Sequence, residues 1–483
     1  MQPADGARRR CYFRDVTVTQ RRSRLALLML GIAIAVGLIA SALSDPALPS
    51  PPKPRPARSA GRGNPFAYVP AREAEFVTRG ASGNAHALFV KSPGGVLATA
   101  GRVAAFRGLI DHAAAGTSIS PNLLEGLVFV ESAGRPQIIA GADPAGAAGL
   151  TQILAQTGQS LLGMHVDLTA SRRLTSQIAA VTAGARPGRL APLLTRRAAA
   201  DERFDPALEL AATVRYLELS ERQFGRQDLA FESYHMGIGN LHQALVDYDG
   251  GRSVPYAQLY FDTAPDRHRA AYSLLARLSD DSSLYYWRLL GAVAVMHLYR
   301  TDRVALRRLA SQQAADAAGA AVLHPAARTL SLPDPGALAA AYQRAAIVPL
   351  PSNGPGLGLE LDPTMGAGAH AIGAPASLYR GLRPAALRLL IELAARVRAL
   401  SGGADRLRIR STVSDARYQR QVGVYDPPAT TGYSFQIDRS YVSGAQAQAL
   451  QSMLDRLQSL DLIAWAPAGA VIEVTVASDA ASF

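Results

Sequence analysis

The sequence predicts a mainly α-helical protein with one N-terminal transmembrane helix and a smaller C-terminal α+β domain. A run of twenty uncharged, mostly apolar residues at 25–44 indicates the membrane-spanning helix. Within 99–310, the segment 120–132 has the start signals and the apolar spacing of a helix. At 374–483, short runs of strand type alternate with helical patterns, which indicates the α+β domain. The 483 residues are enough for two or three domains.

The stretch LALLMLGIAIAVGLIASALS at 25–44 has the length of a transmembrane signal-anchor, because twenty helical residues span about 30 Å. The positive-inside rule keeps residues 1–24 cytoplasmic, since this tail is rich in arginine: Arg8, Arg9, Arg10, Arg14, Arg21, Arg22 and Arg24. We therefore expect a single-pass cell-membrane protein with the remaining chain outside the cytoplasm. Secretion after signal cleavage is the alternative, because ASA at 40–42 has the form of a cleavage site.

Cysteine content and charge limit the possible partners. Cys11 is the only cysteine, so no disulfide can form within the exported part. The net charge of +12 comes almost entirely from arginine, a bias that often reflects nucleotide composition. We therefore expect no nucleic-acid partner. A cationic exported protein does suit the anionic polymers of a cell wall.

Two segments of linker composition flank the predicted helical domain. Residues 45–98 begin with DPALPSPPKPRPARSAGRGNP, a Pro- and Arg-rich stretch typical of an extended spacer. Residues 311–373 contain one short helical pattern followed by PLPSNGPGLGLELDPTMGAGAHAIG, which is rich in glycine and proline. Composition therefore predicts linkers on both sides of 99–310.

One glutamate stands on the apolar face of a predicted helix. The stretch SISPNLLEGLVFVES offers Ser120 as N-cap and proline at the first helical position. Glu131 shares one helical face with three apolar residues at i, i+3, i+4 and i+7 spacing, whereas Glu125 points away from that face; the three are Leu124, Leu127 and Val128. A carboxylate against apolar side chains loses hydration, so its pKa should rise, as a general acid near neutral pH requires. A glutamate that simply reaches solvent at the helix end is the alternative.

Two later motifs accompany this helix in a fixed order. GADPAGAAGLTQI at 141–153 contains Gly-x-x-Gly-Leu-x-Gln-Ile, and LAFESYHMGIGNL at 229–241 contains a helix that enters an aromatic-x-x-Gly turn. Together with the Glu-Ser at the end of the apolar helix, this order resembles the soluble lytic transglycosylase family over roughly residues 104–305. The resemblance implies a goose-lysozyme-like fold for the helical domain, which would cleave the glycan strands of peptidoglycan without a cofactor.

The resemblance implies roles for individual residues. Glu131 matches the single catalytic acid/base, and Ser132 matches a serine that hydrogen-bonds near the catalytic carboxylate and the substrate. A further set matches positions that bind the sugar: Gly149, Leu150, Thr151, Gln152, Tyr234, His235, Gly237 and Tyr286.

Several positions depart from the family pattern. Thr151 stands where the family usually has methionine, and His235 and Met236 replace the asparagine and alanine of its Tyr-Asn-Ala-Gly turn. Tyr286, in LYYWRLL, is the best match to the late tyrosine, although the usual preceding Glu-Thr pair is absent. Residues 163–203 are longer than the usual connection and predict inserted helices beside the groove.

The resemblance also implies a mechanism with one carboxylate, whereas ordinary glycosidases use two. Asp143 sits before proline in a predicted turn and no second acid has a persuasive spacing. In the family, the N-acetyl carbonyl of the muramic acid ring takes the place of the second carboxylate, and the product carries a 1,6-anhydromuramoyl end. The MurNAc–GlcNAc bond would thus break without water. A lysozyme-like hydrolase and a non-catalytic wall-binding scaffold of an envelope machine are the alternatives.

The C-terminal region predicts an amphipathic helix in LYRGLRPAALRLLIELAARVRAL, strands in DRLRIRST, GYSFQIDR and AVIEVTVAS, and a helix between the last two strands. This order loosely resembles D-alanyl-D-alanine carboxypeptidase-like zinc peptidases. At the metal positions, however, the chain has Ala429, Gln436 and Glu473, and Ala470 stands near the position of the general base. We therefore expect no zinc site here, and either a stem-peptide or envelope-protein partner or a purely structural role.

The histidines are scattered without the spacing of metal ligands, so we expect no metal site. They are His86, His112, His165, His235, His242, His268, His297, His324 and His370.

Overall fold

The structure is a computed structural model that describes residues 48, 51–53, 64–184, 187–278, 281–314, 319–323, 330–403 and 405–483. The predicted tail and transmembrane segment, 1–44, lie outside these residues. None of the helices formed by the described residues is both long and apolar enough to span a membrane. The described chain is mainly helical with a smaller sheet region, as predicted, and it divides into two compact units.

The helices, in chain order, are α1 (Glu73–Gly83), α2 (His86–Val90), α3 (Val96–Ala104), α4 (Arg107–Ala114), α5 (Pro121–Ser132), α6 (Ala155–Ser160), α7 (Leu168–Ala183), α8 (Leu190–Ala200), α9 (Pro206–Phe224), α10 (Gln227–Met236), α11 (Ile238–Asp249), α12 (Tyr256–Asp262), α13 (Arg269–Arg277), α14 (Tyr285–Thr301), α15 (Arg303–Gln312), α16 (Gly319–Val322), α17 (Pro335–Gln343), α18 (Pro384–Ser401), α19 (Ala416–Val422) and α20 (Gly444–Ser459). The strands are β1 (Ala147–Ala148), β2 (Ile153–Leu154), β3 (Val348–Pro349), β4 (Leu359–Leu361), β5 (Gly381–Leu382), β6 (Leu407–Ser411), β7 (Ser434–Asp438), β8 (Ile463–Ala468) and β9 (Val471–Val476).

The first unit comprises Ala87–Thr263 and Ala270–Arg307, and helix α5 forms its centre. As predicted, α5 begins at the Ser120 N-cap, whose side chain accepts a hydrogen bond from the Leu123 amide at 3.4 Å. Helices α3, α4 and α14 surround it. A Cβ at Gly126 would lie 3.0 Å from the Leu289 carbonyl oxygen of α14, so glycine permits this close approach.

Glu125, which the spacing places away from the leucine face of α5, is nevertheless buried. Its side chain is only 1% exposed. Its Oε2 lies 2.6 Å from Arg300 Nη1 and 3.2 Å from Arg107 Nη1. The helix is enclosed on nearly all sides, so the face opposite the leucines is also buried, and two arginines compensate the charge there.

Residues 163–203 are mainly helical, as predicted. Helices α7 and α8 pack against each other as a hairpin. The Asp167 side chain caps α7 by accepting from the Ala170 amide at 2.9 Å. Arg172 of α7 pairs with Asp143 at 2.9 Å, and the Asp143 carboxylate also accepts from the Ala145 amide in the predicted turn.

The second unit contains a five-stranded sheet of order β4-β6-β7-β9-β8. Strand β4 pairs with β6 in parallel, and the remaining pairs are antiparallel. Buried residues of α18 and α20, which pack together, form its core with inward-facing strand residues such as Phe435, Ile437 and Val474. The predicted strands and helices of 374–483 are therefore confirmed as α+β structure, although the sequence analysis missed β8.

Most of the described residues of both predicted linkers belong to the second unit. Helices occupy much of 64–98, whereas most of the Pro-rich stretch of this predicted linker lies outside the described residues. The described residues up to His86 belong to the second unit together with Ala264–Arg269 and Arg308–Phe483. In 311–373, α17 and the edge strand β4 belong to the same unit. Residues 374–483 are therefore not a complete domain. Composition misled the prediction because glycine and proline also occur in the tight 310 turns that connect short packed segments.

Residues 66–83 pack closely within the second unit. The Phe483 ring stacks on Phe66 at 6.4 Å between centroids and meets Phe76 edge-on at 5.5 Å. The Arg72 guanidinium lies 4.3 Å from the centre of the same Phe483 ring. A Cβ at Gly83 of α1 would lie only 2.0 Å from the Gln458 carbonyl oxygen of α20, so these two helices touch through backbone.

Candidate active site around Glu131

Glu131 occupies the last turn of α5, next to a sharp backbone reversal. Ala133 and Gly134 have φ of 55° and 70°, and left-handed residues of this kind end a helix. A Cβ at Gly134 would lie 2.8 Å from the Val103 amide nitrogen, and the Arg102 guanidinium donates to the Ala133 carbonyl at 3.0 Å. The reversal is therefore anchored to α3, which fixes where the Glu131 side chain emerges.

The Glu131 carboxyl group has little contact with water. Leu124, Leu127 and Val128 on its helical face are fully buried, as predicted, and the residue itself is only partly exposed. Desolvation raises the pKa of Glu131 to about 7, and an interaction with Tyr285 opposes part of this rise. A carboxyl group with this pKa can both donate and accept a proton near neutral pH.

Two tyrosines lie near Glu131, one buried and one partly buried. Tyr285, at the start of α14, is 3% exposed, and burial together with the Glu131 charge raises its own pKa. Its hydroxyl is near enough to act on Glu131, yet it makes no hydrogen bond of ordinary geometry to any described residue. Tyr234, at the end of α10, donates from its hydroxyl to the Thr151 carbonyl at 2.9 Å. Burial is the main cause of a raised pKa at Tyr234, and the charge of Glu131 raises this pKa further.

The tyrosine of LYYWRLL that interacts with Glu131 is Tyr285, the neighbour of the predicted Tyr286. Tyr286 meets Tyr256 edge-on at 5.9 Å and Trp287 at 5.5 Å, within a separate aromatic cluster. Its amide donates to Glu232 Oε2 at 2.9 Å. Neighbouring helical residues differ by about 100° in direction, so a motif containing two adjacent tyrosines leaves open which one points to the carboxylate.

The predicted Gly149–Leu150–Thr151–Gln152 segment forms a tight turn between β1 and β2. Gly149 has φ of 91°, and a Cβ there would lie 1.9 Å from the Arg203 carbonyl oxygen, so only glycine fits. Gln152 also has a positive φ of 58°, and its Nε2 donates to the Gly149 carbonyl at 2.8 Å. Leu150 is fully buried. The side chains of this segment hold the turn itself, and its backbone connects to Tyr234 through Thr151.

The remaining predicted residues have local partners. The Ser132 hydroxyl donates to the Val128 carbonyl and accepts from the Arg135 amide, both at 3.3 Å, so it stabilises the end of α5. His235 stacks on Tyr285 at 5.1 Å, and its Nδ1 lies 2.9 Å from the Ser282 hydroxyl. Gly237, with φ of 85°, connects α10 and α11. His235 therefore supports the tyrosine beside Glu131.

Sequence reasoning missed one buried carboxylate below the turn. Glu209 of α9 is fully buried; burial raises its pKa, and the hydrogen bonds that its two oxygens accept from Thr151 and Leu150 oppose this rise because they favour the ionised form. A signal was present, because polar residues recur at helical spacing along α9, and all of them are buried: Glu209, Thr213, Tyr216 and Ser220.

Within the described ranges, no three His, Cys, Asp or Glu side chains group closely enough to hold a metal ion. Two of the positions compared with the zinc peptidases, Gln436 and Glu473, are register partners on β7 and β9. Ala429 lies buried in a 310 helix, Pro427–Thr431. The donor set is too poor for zinc, which takes His, Cys or carboxylate ligands.

Comparisons of this chain with protein-family models, with curated proteins and with solved structures found no match.

Proposed function

We propose that this protein is a peptidoglycan lytic transglycosylase that uses Glu131 as its single general acid/base. The observation that carries the proposal is a carboxyl group with a pKa of about 7, placed at the end of a buried helix and near the buried Tyr285 and the partly buried Tyr234. The order of the sequence motifs supports the same activity. The proposal includes a goose-lysozyme-like fold for the first unit.

The proposed reaction needs one residue that gives a proton and later takes one. Glu131 first protonates the glycosidic oxygen, so the MurNAc C1–O bond breaks and the N-acetyl carbonyl of the same sugar stabilises C1. The Glu131 carboxylate then accepts the proton of the C6 hydroxyl, whose oxygen bonds to C1. This closes the 1,6-anhydro ring, consumes no water and returns Glu131 to its protonated form.

The environment of Glu209 supports a one-carboxylate mechanism. A retaining or inverting hydrolase needs a second carboxyl group that reaches the sugar or its water. Glu209 is fully buried, and its two oxygens accept three hydrogen bonds from Leu150 and Thr151. It is therefore not available as a nucleophile or as the base for an attacking water.

The location and the partners follow as part of the proposal. The predicted anchor at 25–44 would hold the enzyme on the outer face of the cell membrane, with glycan strands as substrate and no cofactor or nucleic acid involved. The sheet of the second unit would be a carboxypeptidase-like module without its metal, suited to a cell-envelope protein partner.

The test is digestion of purified peptidoglycan by the full-length protein in detergent, in water enriched in ¹⁸O, followed by mass spectrometry of the muropeptides. We expect anhydro-muropeptides without ¹⁸O. Reducing muramic acid ends that contain ¹⁸O would show a hydrolase instead. Binding of glycan without any cleavage would favour the scaffold alternative, and Glu131→Gln provides the inactive control.

A further inference from the structure

Glu209 is fixed by an unusually complete set of donors from the glycine turn. Its Oε2 accepts from the Leu150 amide at 2.5 Å, and its Oε1 accepts from the Thr151 amide at 2.8 Å and the Thr151 hydroxyl at 2.9 Å. The Thr213 hydroxyl lies 2.8 Å from the Thr151 hydroxyl and completes the network. A carboxylate satisfies this pattern because it is purely an acceptor on both oxygens.

Arg203 holds the remainder of the same turn. Its guanidinium is fully buried and pairs with Asp201 at 2.8 Å. It also donates to the carbonyl groups of Pro144, Gly146 and Ile153, at 2.6 to 3.1 Å. These carbonyl groups lie before and after the segment that Glu209 binds. The Arg203 guanidinium therefore holds carbonyl groups of the turn, while the Glu209 carboxylate holds its amide groups. Asp201 and Arg203 come from the end of the 163–203 insertion, which is therefore integral to the turn.

The turn connects directly to the surroundings of Glu131. The Thr151 carbonyl accepts the Tyr234 hydroxyl, and the Tyr234 ring meets Tyr216 edge-on at 5.2 Å. Tyr234 is close enough to both Glu131 and Glu209 to be affected by the charge of each. A continuous set of contacts thus runs from Glu209 through Thr151 to the tyrosine near Glu131.

We propose that Glu209 is a positioning residue that sets the place of Tyr234, and through it the dry environment of Glu131, by holding the Leu150 and Thr151 amides. The inference rests on the proposed function for its catalytic consequence. The effect of Glu209 on the environment of Glu131 does not depend on that function, because the pKa of Glu131 can be measured without substrate.

Glu209→Gln changes this network with almost no change in volume. One glutamine oxygen can replace one carboxylate oxygen, but the NH₂ group then faces a backbone amide donor whichever way the side chain is turned. The Leu150–Thr151 backbone loses at least one hydrogen bond and must shift, which moves Tyr234 and admits water to Glu131. Glu218→Gln, on the same helix but partly exposed, is the matched control.

The test uses the full-length protein in detergent with ¹³C-labelled glutamate, and the Glu131 carboxyl signal is assigned from its loss in Glu131→Gln. In Glu209→Gln we expect the pKa of Glu131 to fall by about one unit toward its ordinary value. In the muropeptide assay we expect kcat to fall at least about tenfold with a smaller change in KM, because the catalytic group is misplaced. Glu218→Gln should alter neither.

An unchanged Glu131 pKa in folded Glu209→Gln would overturn the proposal. If that variant does not fold, Tyr234→Phe decides, because it leaves the hydrogen bonds of Glu209 intact and removes the hydrogen bond from the Tyr234 hydroxyl to the Thr151 carbonyl. It should lower the Glu131 pKa similarly, and no change there would overturn the proposal. Wild-type protein without anhydro products would refute the proposed function alone, since the NMR titration is unaffected by that result.

Discussion

The replacement of Glu131 by glutamine tests whether this carboxyl group is placed for chemistry at the expense of stability. A pKa of about 7 in the folded protein, against the ordinary 4.5 in the unfolded chain, means that ionisation is disfavoured by folding. At about 1.4 kcal/mol for each pKa unit, the ionised residue lowers the free energy of unfolding by roughly 3 kcal/mol. Glutamine keeps the size of the side chain and removes this penalty.

The sign of the effect depends on pH. Below about pH 4.5 the carboxyl is protonated in both states and carries no penalty, whereas above pH 7 it is ionised in both and the penalty is complete. Glu131→Gln should therefore gain up to roughly 3 kcal/mol at pH 8 and almost nothing at pH 4. For a unit of about 200 residues this corresponds to a rise in Tm of roughly 6–12 °C at pH 8.

The assay combines thermal unfolding at pH 4 and pH 8 with muropeptide release at neutral pH. We expect higher stability at pH 8 together with a loss of turnover of at least about 10²-fold, as for a lost proton transfer. Glu125→Gln is the matched control on the same helix. It should lower the free energy of unfolding by about 1–3 kcal/mol, because the charge that compensates Arg107 and Arg300 is lost. A lower Tm for Glu131→Gln at pH 8, or normal turnover, would refute the reasoning.

Three further substitutions test other features of the structure. Tyr285→Phe removes the interaction that lowers the pKa of Glu131, so the alkaline limb of the pH–rate profile should move to higher pH, and a move to lower pH would contradict this placement. Gly149→Ala places a methyl group 1.9 Å from a carbonyl oxygen at a φ of 91°, and we expect denaturant titration to show a loss of at least about 3 kcal/mol. Gly83→Ala should cost about 1–3 kcal/mol in the second unit, since α1 packs there against the backbone of α20; an unchanged denaturation midpoint would return 45–98 to the role of linker.

Local features of the sequence were sufficient for the helix that bears Glu131. Ser120 and the following proline define its start, and the spacing of Leu124, Leu127 and Val128 predicts which face is buried. The same spacing predicted an apolar environment for Glu131, as the structure has it. These properties depend on residues within a few turns of each other, so they can be inferred without knowledge of the rest of the chain.

The tertiary structure alone decided the properties that depend on distant partners. Glu125 is buried because Arg107 and Arg300 approach from other helices, which the periodicity of α5 cannot reveal. The choice of Tyr285 over Tyr286 depends on the rotation of α14 relative to α5. Strand β4 forms in a Gly- and Pro-rich stretch because β6, some fifty residues later, offers it backbone hydrogen bonds.

The environment of Glu209 depends on both nearby and distant residues of the chain. Its polar stripe on α9 was visible in the sequence, but the donors that it binds come from residues 150 and 151, about sixty positions earlier. Helical spacing predicts which side chains share a face, but it does not predict which residues that face packs against. The sequence by itself thus determined the helix that carries Glu131 and its apolar setting, while the turn, the tyrosines and the second carboxylate around it were decided only by long-range packing and hydrogen bonding.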